Sequence, residues 1–238
     1  MPTPVLESAA LSRLGFAHGF FLRSVEPDWD TACEHLGVPR SRLFLLSQVH
    51  GRDAELAKED DDPRAFAKRS GDIVVARGAG LACGTRVADC VPVLLACPDT
   101  GAVAAVHSGW RGTVSGAVLA GVEALRTAGA TSGVVAAVGP HIGPCCFEVG
   151  DDVAATIAAC SPLGAAIVDR SRPKPHIDLR RVIAAQLESV GVTAIDHVHG
   201  CTRCEPERFH SFRRDGHASG RMLGAIVTRT ATSPAFGG

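Results

Sequence analysis

Three residues with metal-ligating or nucleophilic chemistry stand where apolar runs begin or end. Cys90 lies in ADCVP (88–92), just ahead of the run Val91 to Ala96, and His107 closes the run Ala102 to Val106 and opens HSGWRG (107–112). His50 stands in SQVHG (47–51), again beside a glycine. Two imidazoles and one thiolate suit Zn²⁺, and three protein ligands leave a fourth position open for water or substrate, the pattern of catalytic zinc. Such an ion lowers the pKa of bound water and polarises a substrate oxygen. Cys90 and His107 would equally serve as nucleophile and base of a Cys–His hydrolase, and metal content separates the two readings. Taken singly, a free Cys is among the most buried residue types and a lone His is more often a satisfied core residue. The spacing by itself leaves the trio open.

The turn after His107 adds an anion-binding element. Ser108, Gly109, Arg111 and Gly112 lead into an expected helix, where free backbone N–H groups, a hydroxyl and a guanidinium favour a phosphate.

These residues need rigid elements to hold them. Phe16–Leu22, Leu43–Val49, Ile73–Ala76, Leu81–Val87, Val91–Ala96, Ala102–Val106, Val134–Val138, Ala194–Val198 and Met222–Thr228 read as strands. Gly112–Ala128 reads as a helix with Val114, Val118, Val122 and Leu125 on one stripe. Asp178–Val190 reads as another, capped by Asp178 and stopped by Gly191. Asp30–Leu36 and Asp151–Cys160 are helical too. Residues 58–72 read as a charged surface loop, 171–176 as a second loop, and 230–238 as a loose tail. With 238 residues and no linker or internal repeat, one α+β domain spanning 1–238 is the economical reading.

Composition narrows the partners. The 24 Lys and Arg against 25 Asp and Glu leave a net charge of −1, and no basic tract supports a nucleic-acid or anionic-membrane partner. No apolar run approaches a membrane span. The opening residues have neither a basic nor a continuous apolar region, so no signal peptide is expected. A cytoplasmic protein with reduced thiols is expected, since no secretory signal is read and nine cysteines, an odd number, cannot all pair internally.

Two further clusters stand apart from this set. In HVHGCTRC (197–204), His197, His199, Cys201 and Cys204 offer a structural metal site, but a strand running into a loop is the preferred reading, because the CxxC has no second CxxC or downstream HxxxH at finger spacing. The adjacent cysteines of GPCCFE (143–148) do not form the HxE…PCxxC pattern of zinc deaminases.

Taken together, QVHG (48–51), ADCVPVLL (88–95), AAVHSGWRGT (104–113), VGPHIGPCCFEVGDDV (138–153), CT (201–202) and FHSFRRDGHASGR (209–221) resemble the YfiH family, also called the laccase-domain or polyphenol oxidase family. The resemblance implies layered mixed β-sheets flanked by helices and a zinc site formed by His50, Cys90 and His107. It also implies a purine nucleoside enzyme: phosphorolysis of adenosine, inosine and methylthioadenosine, with adenosine deamination. Copper-dependent phenol oxidation, which the laccase name implies, fits a three-ligand set poorly and ranks last. In the mechanism this implies, Asp89 and Gln48 orient groups or shuttle protons beside Cys90 and His107. Ser108, Arg111, Arg213 and Arg23, the last at the end of HGFFLR (18–23), are the candidates for phosphate and substrate. The partners are then a purine nucleoside and phosphate, and a monomer is expected.

The chain departs from the family at its N-terminal side. HGFFLR runs straight into SVEPDWD (24–30), with Asp28 and Trp29 where the family carries an Asn-Arg pair after a Gly-rich stretch, and Phe147 stands where a Tyr is usual. Two other readings follow: a non-catalytic metal- or partner-binding relative with a reduced pocket, or a Cys–His amidase acting on a peptidoglycan precursor.

Overall fold

The structure is a computed structural model and describes residues 4–25, 29–130 and 133–230. Its strands in chain order are β1 (Val5–Leu6), β2 (His18–Phe21), β3 (Leu43–Phe44), β4 (Ala54–Ala57), β5 (Ile73–Ala76), β6 (Ala82–Val87) and β7 (Val91–Ala96). They continue as β8 (Val103–Ser108), β9 (Val135–Val138), β10 (Val168–Asp169), β11 (His176–Ile177), β12 (Ala194–His197) and β13 (Met222–Val227). The helices are α1 (Ala9–Arg13), α2 (Asp30–Leu36), α3 (Pro63–Phe66), α4 (Trp110–Ser115), α5 (Ala117–Thr127), α6 (Asp151–Cys160), α7 (Leu179–Ser189) and α8 (Phe212–Asp215).

Two mixed sheets carry the fold, in the orders β1-β2-β13-β6-β3 and β12-β9-β7-β8-β5-β4. β7, β8 and β5 are apolar on both faces because both faces are covered. Leu94, Ala96 and Ala105 pack between the sheets with Phe20, Phe44 and Ile226 of the other sheet. The alternate residues Val93, Leu95, Ala104 and Val106 pack outward against Val118, Val122 and Leu125 of α5 and against Ile183 of α7. On the far side, α2 puts Ala32, Cys33 and Leu36 onto Phe21, Leu223 and Ala225. The result is helix, sheet, sheet, helix, the layered α+β arrangement expected from the sequence.

Several local expectations are corrected. The single helix over 112–128 is two helices, because Gly116 takes φ +80° between them and ends α4 in the left-handed conformation. The strand expected over Leu43–Val49 closes at Phe44; beyond it the ladder is limited to an isolated Ser47–Ser70 bridge. The charged loop 58–72 holds α3, capped by the Asp62 carboxylate and started by Pro63. It buries Phe66 completely, edge-on to Phe44 at 5.2 Å. His176, placed in a surface loop by its neighbours, is buried in β11. Of the tail at 230–238, residues 231–238 lie outside the described residues, as does Asp28. No helix among the described residues is long and apolar enough to cross a membrane.

His18 in β2 shows how one polar group is placed in this core. Its Nε2 accepts the Ser8 N–H and its Nδ1 lies against the Phe16 carbonyl, both at 2.8 Å, which fixes the neutral Nδ1–H tautomer. Burial is the main cause of its lowered pKa. The unfolded chain takes up a proton as pH falls through about 6.5 while the folded chain does not, so this stability is full above that pH and declines below it, by up to about 1.4 kcal/mol per pH unit. Urea unfolding at pH 7.5 and 5.5 is expected to show a smaller acid loss in His18→Asn than in the parent. An equal loss would assign the effect to other groups.

Candidate active site

The antiparallel pairings of β7 and β5 with β8 bring the start of β7, the start of β5 and the end of β8 to one sheet edge. Cys90 immediately precedes β7, His107 lies near the end of β8, and Asp72 immediately precedes β5. His50 comes to the same edge on the turn at 49–51. The ligand atoms of His50, Cys90 and His107 all lie within 4.8 Å of one another, and the two imidazoles meet edge to face at 4.9 Å.

Asp72, which sequence reasoning assigned only to the end of a loop, organises the trio. Its side chain is fully buried. One oxygen accepts the His50 N–H at 3.0 Å and lies 2.7 Å from His107 Nδ1; the other accepts from Gly51 at 2.6 Å and Val49 at 3.2 Å. Burial alone would raise the Asp72 pKa, but hydrogen bonds from His107 and Gly51 hold it below the usual carboxylate value. His50 has φ +63°, a left-handed conformation costing roughly 1–2 kcal/mol for a residue with a Cβ, so the three N–H bonds hold a turn that would otherwise relax. The only signal in the sequence was Gly71-Asp72 directly before a β-branched run.

The titrating groups of the trio interact strongly. Burial would push the Cys90 thiol up, yet hydrogen bonds with His107 and His50 bring its pKa down to about 7. Burial would lower His107, but Asp72 and Cys90 raise it to about 9. With its Nδ1 facing Asp72, His107 turns Nε2 toward Cys90, the carboxylate–histidine–metal arrangement in which the carboxylate orients the ligand and raises its basicity. Two imidazoles and one thiol within 4.8 Å of one another make a donor set that fits a soft or borderline divalent ion. Gly109 leaves the room: a Cβ there would sit 2.8 Å from Cys90 Sγ and 3.3 Å from the His50 ring.

The trio opens into a cleft of about 670 Å³. Its polar wall holds Arg86, Arg111, Arg213 and Arg221 against one carboxylate, Asp89. Burial, then the charges of Arg221 and Arg40, lower the Arg86 pKa, so cations crowd here. The apolar wall is formed by Trp110, Ile142, Phe147, Leu179 and Phe212. Arg111 stacks on Trp110 at 4.4 Å and Arg213 over Phe147 at 5.7 Å.

The remaining sequence-derived candidates divide. Asp89, at φ +84°, lines the cleft, but its oxygens accept the Thr202 hydroxyl at 2.5 Å and the Arg213 N–H at 2.6 Å. Gln48 lines it too, with both ends of its amide bound to the Arg86 backbone at 2.8 Å. These bonds fix the orientation of both side chains. Ser108 is a correction: successive strand residues face opposite ways, so with His107 turned to the site its hydroxyl is buried against Thr113 Oγ1 at 2.9 Å. Arg23 is another, since it bonds the Pro206 carbonyl and is not among the cleft residues. Arg86, Arg221 and Trp110 were missed because three separate elements must meet before they share a wall.

A layered α+β fold with a three-donor cluster at a sheet edge and a cationic, aromatic cleft defines the class. The chain belongs to the family described as multi-copper polyphenol oxidoreductase laccase, which matches residues 14–229. It is 36% identical over 214 residues to a purine nucleoside phosphorylase of Streptomyces coelicolor, covering 90% of this chain and 86% of that one. It is 38% identical over 209 residues to adenosine deaminase RL5 of an unknown prokaryotic organism, covering 84% and 80%. The crystal structure of YlmD from Geobacillus stearothermophilus superposes with a TM-score of 0.82 at 27% identity, covering 96% of this chain and 97% of that one. The hypothetical protein YfiH of Bacillus licheniformis shares the fold with a TM-score of 0.86 at 22% identity, covering 96% and 98%. The YfiH-family resemblance and the fold class read from the sequence are thereby established. Among the described residues, groups of three or more potential ligands number two, and one of them has no histidine. The several histidine clusters of a multicopper centre are not among them.

Replacing Asp72 with Asn removes acceptor capacity from both the 49–51 turn and His107. Zinc affinity, read by competition with a chromophoric chelator, is expected to fall about 10–100-fold. An unchanged affinity would assign Asp72 to the turn alone. Gly109→Ala keeps a permitted backbone (φ −72°) yet crowds Cys90 Sγ. It should lower metal affinity with the melting temperature nearly unchanged, whereas unaltered binding would show that the thiol can yield.

Proposed function

We propose that the protein is a zinc-dependent purine nucleoside phosphorylase acting on adenosine, inosine or methylthioadenosine, with adenosine deamination as a companion activity. The observation that carries this reading is the union in one cleft of a three-donor metal set, a wall of four arginines and an aromatic wall. The names of relatives at 36–38% identity support the same chemistry.

The cleft volume of about 670 Å³ falls in the range of small-molecule sites, about 300–1,000 Å³. This favours a working pocket over the non-catalytic alternative, although the N-terminal Asn-Arg segment is absent. Trp110, Phe147 and Phe212 offer faces and edges for a purine. Arg86 and Arg221, whose mutual repulsion a phosphate would relieve, with Arg111 and Arg213, would bind the attacking anion and hold it toward the ribose C1′. Phosphate oxygen forms the new bond to C1′, and the purine leaves with the glycosidic electron pair and takes up a proton. Asp89 holds the Arg213 backbone and the 201–204 turn, and Gln48 holds Arg86, so the cation wall is fixed before substrate arrives.

His50, Cys90 and His107 would hold the zinc, which when bound would supply Lewis acidity toward the substrate and lower the pKa of water. The aligned Cys90, His107 and Asp72 also resemble the nucleophile, base and orienting acid of a Cys–His hydrolase, which favours that as the second reading. His50 is the residue that a hydrolase of this kind does not need. The substrate is a small molecule, with a cytoplasmic location and a monomeric state as part of the same proposal.

One preparation tests this. Metal analysis should find zinc, and chromatography of adenosine should give adenine only when phosphate is present. Inosine alone would favour deamination, and turnover of amides by metal-free protein would favour the hydrolase. His107→Ala should lose both the ion at this site and adenosine turnover. Arg221→Ala should raise the KM for phosphate by about 10–100-fold, the cost of a charge-assisted hydrogen bond. An unchanged KM would remove Arg221 from the anion site.

A further inference from the structure

We propose that Cys145, Cys146, Cys201 and Cys204 form a second metal site, a closed tetrathiolate that binds one zinc ion and pins two walls of the cleft together. The sequence presents these residues as an adjacent pair and a CxxC 56 residues further on, neither convincing alone. The fold turns the two segments toward each other. His141 and Cys201 form a parallel bridge, and the Thr202 N–H donates to the His141 carbonyl at 3.1 Å. CTRC follows a strand running into a loop, as the sequence reads: β12 ends at His197, and the turn beyond it brings two sulfurs to a second pair.

The distances favour a single small ion. Sγ–Sγ separations are 3.4 Å for Cys145–Cys201, 3.6 Å for Cys145–Cys204 and 3.2 Å for Cys146–Cys204, and all four sulfurs lie within 4.8 Å. Tetrahedral zinc with bonds of about 2.3 Å sets its sulfurs about 3.8 Å apart. A set of four thiols selects zinc over calcium or magnesium, and four protein ligands leave no position for substrate, so the role is structural.

The surroundings suit the charge. Zinc with four thiolates carries a net charge of −2, the thiol protons passing to solvent with no change of oxidation state. Arg172 Nη1 binds the Cys145 carbonyl at 3.0 Å, and the Gly143 N–H reaches Cys201 Sγ at 3.3 Å. The ion would act on the cleft through its neighbours. Thr202, between the CxxC cysteines, donates to Asp89 beside Cys90. Phe147, next to Cys146, lines the cleft beneath Arg213.

X-ray absorption at the zinc edge on the whole chain, purified without oxygen, tests the site together with metal quantitation. About two zinc per chain with a mean of about 2.5 sulfurs each is expected when both sites fill, since the three-donor site contributes one sulfur and the tetrathiolate four. About one zinc with four sulfurs would support the tetrathiolate while removing the three-donor site. One zinc with a single sulfur, or no zinc, would overturn the proposal, as would an intact mass four hydrogens short, which marks two disulfides. Cys201→Ser/Cys204→Ser should lower the zinc content by one per chain. A His50→Ala/His107→Ala variant should keep a four-sulfur zinc, and its loss there would count against an independent site.

Discussion

A single buried carboxylate, that of Asp72, sets the geometry on which the candidate active site depends. A charge with no exposed surface persists only where several donors satisfy it. Here three backbone N–H groups of the 49–51 turn and the His107 ring do so. The carboxylate thereby couples a strained loop, which carries His50, to a strand, which carries His107. Its own backbone is fixed in turn, since the Asp72 carbonyl accepts the His107 N–H at 2.8 Å. Removal of the charge would leave four donors competing for less acceptor capacity, so the donor trio and this residue are one unit.

The layered core makes such a unit possible at a sheet edge. β5, β7 and β8 are held on one face by a second sheet and on the other by α5 and α7, so the positions where they begin and end are fixed by packing rather than by the loops. Cys90 inherits its position from Val91 and Val93, and His107 inherits its position from Val106. Gly109 then lets α4 approach closely: a Cβ there would lie 2.8 Å from Cys90 Sγ.

What the sequence made legible follows from this division. Cys90 and His107 could be found because polar residues at the ends of apolar β-runs fall at a sheet edge whatever the topology. Strand period could also have placed Ser108 on the opposite face from His107, and the error there came from treating a turn motif as one surface. The helix break at Gly116 was hidden because the residues on either side keep the 3.6-residue stripe. Asp72, Arg86 and Arg221 were illegible for a different reason. Each belongs to a different strand region, and their meeting depends on the order β13-β6-β3 in one sheet and β8-β5 in the other. No local pattern encodes that order. The paired cysteines illustrate the same limit: CC and CxxC are unremarkable until a parallel bridge at His141 and Cys201 aligns them.

Charge distribution completes the picture of the cleft. The chain as a whole carries a net charge of −1, which by itself argues against any strongly anionic partner. Yet four arginines and one carboxylate line a single cleft, and that carboxylate is already bound to a hydroxyl and a backbone N–H. A local excess of this kind acts over about 8–10 Å at physiological salt, so distant surface acids screen it little. Inside a concave, partly apolar site its effect on an anion is stronger than the same charges would have on an open surface. Three of the four are held from free rotation by carbonyls, Arg86 by that of Leu46, Arg213 by that of Glu148 and Arg221 by that of Ser219, and Arg111 stacks on Trp110. Cations fixed in this way lose little further entropy when an anion arrives.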